Sequence, residues 1–108
     1  MRTQSTFSFE NLDVYKLSLS VNERVAATRW PVGRSHLKDQ AIRAADSVVL
    51  NISEGCGRGR LTKAGKNHFR IALGSAGEVF AVFQMLRTDP ELQDDLRRVG
   101  AMLAGLAR

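Results

Sequence analysis

Four stretches of this chain place apolar residues at three- and four-residue steps, and the helix-breaking runs fall between them. That spacing lines one face of an α-helix, and no window shows the apolar/polar alternation of a strand. The first stretch covers about 12–29, where Val14, Leu17, Val21 and Val25 repeat. Asn11 is the expected N-cap, with Phe9 before it set to staple onto the first turn. Trp30-Pro31-Val32-Gly33 ends it, because the residue before a proline is pushed out of the α region. The second covers 35–56, with Leu37, Ala41, Ala44, Val48 and Ile52 in line. Its small side chains predict tight packing on more than one side. The third, 62–88, is lined by Phe69, Ala72, Ala76, Val79, Phe83 and Leu86. The fourth, 90–106, has Asp89 as N-cap and Pro90 in the first turn, where proline is tolerated. Acids crowd its start and Arg97, Arg98 and Arg108 follow, an order the helix dipole favours.

Joined by short connections, four such helices predict an all-α, antiparallel up-down four-helix bundle over 9–108, after a flexible segment 1–8. At 108 residues there is material for one core and not two. No unbroken run of about 18 apolar residues occurs, which argues against a membrane span. The N-terminus lacks the apolar core of a signal peptide, and the lone Cys56 has no disulfide partner, so a cytoplasmic location is expected. With only His36 and His68, no metal-ligand spacing arises and no cofactor is expected.

Several polar side chains sit close to the apolar stripes of the middle helices: Arg43, Asn51, Glu54, Ser75 and Glu78. With a corner near Gly59–Arg60, facing residues of helices two and three should sum to about 120, given equal rise per residue. Arg43 then faces Glu78 as an interhelical ion pair, Ser47 lies near Leu73–Ser75, and Asn51 near Phe69–Arg70. Two readings follow. In one, these groups form a structural polar network that fixes register. In the other, Glu54 and Glu78 are paired carboxylates for acid/base or metal chemistry, though neither has the Glu-x-x-His partner of a di-iron bundle.

The corner itself reads "SEGCGRGRLTKAGKNHFR", with a glycine at every second position from Gly55 to Gly59. The spacing is not that of a phosphate-binding loop, and a helix rather than a strand precedes it. The glycines are expected to end the second helix by taking left-handed conformations. Cys56 is expected to be an inert thiol there. Between Gly55 and Gly77 stand five cations, Arg58, Arg60, Lys63, Lys66 and Arg70, and no acid. Lys63 and Lys66 fall at a helix N-terminus, where the dipole disfavours positive charge. Together with a net charge of +5, this marks the corner as a phosphate-contacting surface, with too few aromatics for base stacking.

The blocks F-x-x-L-x-V-Y (Phe9–Tyr15), W-P…L-x-x-Q-x-x-R-A (Trp30–Ala44), S-V-x-x-N-I-S-E-G-x-G-R (Ser47–Arg58) and I-A-L-G-S-A-G-E (Ile71–Glu78) resemble one family. It is the four-helix bundle protein family, also called the intervening-sequence protein family of large-subunit ribosomal RNA genes. It includes the accessory variability determinant of diversity-generating retroelements. The resemblance implies a ring-shaped homopentamer, nucleic-acid binding in some members, docking to a reverse transcriptase in the retroelement branch, and no enzymatic activity. Arg43, Asn51, Glu54, Ser75 and Glu78 are this chain's copies of the motif residues. The stretch Gly59–Gly65 departs from the family pattern in being more basic. The expected function is therefore a non-enzymatic oligomeric scaffold that binds nucleic acid through the corner between helices two and three. The alternative is a protein-interaction ring whose basic corner grips an acidic protein partner.

Overall fold

Proline and glycine set the corners of the molecule, and long amphipathic helices fill the space between them. The computed structural model describes residues 6–108; residues 1–5, part of the segment expected to be flexible, lie outside the described residues. A single 3₁₀ turn at Ser8–Asn11 leads into α1 (Asp13–Ala27), followed by α2 (Ser35–Arg58), α3 (Lys63–Leu86) and α4 (Pro90–Leu106). No strand occurs among the described residues. The helices form one bundle in which α2 and α3 share the most extensive interface and α1 and α4 the thinnest among neighbouring pairs.

The caps follow the sequence in part. Asp89 caps α4, its carboxylate accepting from the Leu92 amide at 3.1 Å. Thr62 caps α3, its hydroxyl accepting from the Gly65 amide at 3.0 Å. Asn11, the expected cap of α1, falls inside the 3₁₀ turn; Leu12 takes the cap position without a side-chain bond. The staple still forms one residue over, as Phe9 packs edge-on against Tyr15 with ring centroids 4.8 Å apart. In α4 the arginines do not reach the last turn. Arg97 and Arg98 instead pair one turn back with Asp94 (2.6 Å) and Asp95 (3.3 Å).

A continuous core runs through all four helices, from Val14, Val21 and Val25 through Ile52, Phe69, Val79 and Phe83 to Leu92, Val99 and Leu103. As expected of its small side chains, α2 packs on both α1 and α3, burying Ala41, Ala44 and Ala45. Trp30, in the α1–α2 connection, lies against Phe83 with ring centroids 5.6 Å apart, and its indole nitrogen is buried without a hydrogen-bond partner. α1 is tied to α2 by Asn22 donating to Asp46 (2.8 Å) and to α4 by the Arg24–Asp95 ion pair (2.7 Å).

Two expectations about apolar surface change. Averaged over an 18-residue window, the hydropathy of α3 reaches 1.3, so this helix is long and apolar enough to cross a membrane by length and composition. Absence of an unbroken apolar run did not capture this, because the small residues of α3 raise the average without lengthening any run. Its large apolar residues Phe69, Val79, Val82 and Phe83 are in the bundle core. The turn Val82–Leu86, apolar nearly all round in the sequence, leaves Met85 as its one strongly exposed apolar side chain (52%). The larger unpartnered apolar side chains lie elsewhere, at Leu50 and Ile71 on the middle helices and at Val32 and Leu61 in connections.

Candidate nucleic-acid interface

The alternating glycines have separate causes. Only Gly59 ends α2, at φ +103°, a backbone region that L side chains rarely enter. Gly55 is inside the helix and buried, because the ring of Phe69 lies on it: a Cβ there would stand 2.6 Å from Phe69 Cε1. Gly57 is also helical, and nothing in the structure explains it. The expectation that all three terminate the helix is thus corrected. A helix interior accepts glycine where a neighbouring element must come close. Across the corner, Gly65 completes the arrangement, since its Cβ would run into the Gly59 carbonyl and stand 2.7 Å from the Gly55 carbonyl oxygen. The start of α3 therefore rests directly on the backbone of the end of α2.

This close crossing presents the basic residues outward. Arg58, Arg60, Lys63 and Arg70 are exposed and Lys66 is half-buried. Lys63, Lys66 and Arg70 recur at three- and four-residue steps, which puts them along one side of α3. That side is away from the line of Gly65, Phe69 and Ala72, which is buried. Among the described residues, only Arg58 of the five cations has an acidic partner, Glu54, at 3.6 Å with both side chains more than half exposed. Such a pair contributes little. Arg60, Lys63, Lys66 and Arg70 form no ion pair with any described residue. The first turn of α3 has no acid to offset Lys63. Cys56 is half-buried here, and burial pushes its thiol above the ordinary range while Arg60 pulls the other way.

The expected polar network is found in part and rearranged. Ser75 Oγ donates to Ser47 Oγ (2.8 Å), and Asn51 Nδ2 donates to the Ser47 carbonyl (2.9 Å) and hydroxyl (3.1 Å). Asn51 Oδ1 meets His68 Nδ1 at 2.9 Å. Because the Asn51 amide nitrogen is already donating, its oxygen accepts from His68 Nδ1–H, which fixes the histidine's tautomer. The register of about 120 holds, since Ser47 meets Ser75 and Asn51 meets His68. His68 was one position from the residues expected opposite Asn51, and that rule was the signal that could have found it. Arg43, Glu54 and Glu78 stand outside the network: Glu54 pairs only with Arg58, and Arg43 and Glu78 are exposed with no ion pair among the described residues. The expected Arg43–Glu78 pair does not form. The two residues have the right register but project from the outer margins of their helices rather than into the seam.

Glu54 and Glu78 are both exposed. Among the described residues no cluster of three or more His, Cys, Asp or Glu side chains could hold a metal ion. A wide-open groove of about 580 Å³ lies between α1 and α4, lined by Asp13, Lys16, Leu17, Ser20, Arg98 and Met102, away from both acids.

No curated protein matches the chain. A family model described as the 23S rRNA-intervening sequence protein matches residues 10–105, which takes in all four helices nearly to the end of α4. The family so described is not a known enzyme family. With the match spanning every element that builds the core and the corner, the chain belongs to the 23S rRNA-intervening sequence protein family.

Proposed function

We propose that this protein is a non-enzymatic scaffold, an antiparallel up-down bundle that assembles with copies of itself into a ring and binds nucleic acid through the α2–α3 corner. The observation that carries the binding is the set of four outward cations, Arg60, Lys63, Lys66 and Arg70, that no acid among the described residues neutralises. A solvated face ordinarily mixes signs, and Lys63 sits where the helix dipole opposes it. A polyanion removes both costs. The family's name, which refers to an intervening sequence of 23S rRNA, supports RNA as the polymer. Up-down order is supported by partner numbers that rise along one helix as they fall along the next, as in Ser47–Ser75 and Asn51–His68. The exposed Leu50 and Ile71 support association. Repetition of the corner around a ring makes binding multivalent, and by resemblance such a scaffold presents its nucleic acid to an enzyme such as a reverse transcriptase.

Filter binding to a structured RNA and to duplex DNA across a salt series tests this. Each phosphate neutralised contributes about −0.9 to the slope of log K against log salt on duplex DNA. Changing Arg58, Arg60, Lys63 and Lys66 together to glutamine should flatten the slope and weaken binding. Unchanged affinity in that variant, or a flat response in the parent, refutes the proposal. A pull-down whose partners persist after nuclease treatment and are acidic proteins would move the corner to a protein ligand instead.

A further inference from the structure

We infer that the outer face of α2 and α3 is the surface through which one copy of this chain docks on another, with Arg43 of each copy paired to Glu78 of its neighbour. The inference rests on the self-association proposed above and names the face that performs it. Arg43, Ser47, Leu50 and Glu54 recur at four- and three-residue steps on α2, and His68, Ile71, Ser75 and Glu78 do so on α3. Each set makes a stripe beside the seam where Ser47 bonds Ser75 and Asn51 bonds His68. On α2 the buried positions Ala44, Val48, Ile52 and Gly55 form a different line, so these stripes are a second face and not the core.

Two features of this face point to a second copy. Each helix contributes one large apolar side chain that the bundle leaves uncovered, Leu50 at 63% exposure and Ile71 at 44%. At the end of the face away from the basic corner stand Arg43 and Glu78, opposite in sign, in register, exposed, and each without an ion partner among the described residues. A face that carries one unsatisfied charge of each sign is complementary to itself, and another copy supplies both missing partners at once. The unpaired charges of the corner are all positive and cannot complement themselves. The two surfaces therefore call for different occupants.

Sedimentation velocity on Arg43→Glu, on Glu78→Arg, and on their equimolar mixture tests the inference, with melting curves confirming that each variant is folded. Each reversal puts like charges in contact across the interface and should weaken association by at least about tenfold. Mixing the two should restore it, because the glutamate introduced in one variant meets the arginine introduced in the other, while the unchanged Arg43 and Glu78 meet at the second contact. Charges paired within one chain gain nothing from mixing. A parent that is monomeric at every concentration overturns the self-association reading itself and leaves this face for another partner. A parent that assembles while both reversals assemble equally well overturns only the assignment of the face, as does a mixture that fails to recover.

Discussion

Replacing Gly65 by alanine tests the close crossing at the corner. In most of a helix this change is favourable by about 1 kcal/mol, because alanine loses less backbone entropy on folding. Here the added methyl meets the carbonyl oxygens of Gly59 and Gly55, backbone atoms that cannot swing aside as the end of a side chain can. Overpacking of this kind costs about 1–3 kcal/mol. Relief requires α3 to lift from α2 or the Gly59 carbonyl to turn away. That carbonyl accepts from the Thr62 amide (3.0 Å) and from the Thr62 hydroxyl (2.7 Å), each bond being worth about 1 kcal/mol. Setting the gain in propensity against these losses leaves a net destabilisation of about 2 kcal/mol, or a fall in Tm of about 10 °C for a domain of this size. Thermal melts followed by far-ultraviolet circular dichroism, at one fixed protein concentration, read the shift directly. Gly74→Ala is the internal control, since a Cβ there meets nothing within 4 Å. It should melt at or above the parent. A Gly65→Ala variant that melts as high as Gly74→Ala would mean that the backbones do not touch at the corner, and the account of why glycine stands there would fail.

Other expectations follow from single contacts. Arg24→Ala removes the pair that ties α1 to α4 and should cost about 0.5–1 kcal/mol in denaturant melts at low salt, with the difference shrinking at high salt because both side chains are partly solvated. Asn51→Ala strands the Ser47 hydroxyl and His68 Nδ1 and should cost about 1–2 kcal/mol, whereas Glu54→Gln, on an exposed side chain, should change the denaturation midpoint little. The raised pKa of Cys56 leaves less thiolate near neutral pH than in an ordinary cysteine. Alkylation should therefore be slow in the native state, fast in denaturant, and slower still in Arg60→Gln, where the cation that opposes the effect of burial is gone.

The four helices were legible in the sequence because amphipathic spacing is local, and the boundary between α3 and α4 was legible because Asp89-Pro90 carries its own stop and start. The corner was harder. Gly55 and Gly59 look alike in sequence, yet one answers a ring from the next helix and the other a backbone angle. Only knowledge of what packs opposite separates them. The polar residues divided along the same line. The register sum placed Ser47 opposite Ser75 and came within a residue of joining Asn51 to His68, but it is a rule about height along the axis. It does not say how far around the helix a side chain points, and for Arg43 and Glu78 that rotation decides between a bond and open solvent. The basic stretch was visible as composition, while its lack of internal neutralisation could be read only from coordinates.

Trp30 is the one tryptophan of the chain, and its ring lies on Phe83 with the indole N–H shielded from water and without an acceptor. Emission from an indole so enclosed is shifted to the blue, and it moves to the red once solvent reaches the ring. The connection between α1 and α2 thus carries an intrinsic optical reporter at the opposite end of α2 from the cationic corner. It can follow opening of that end during titration with a polyanion without any label being attached.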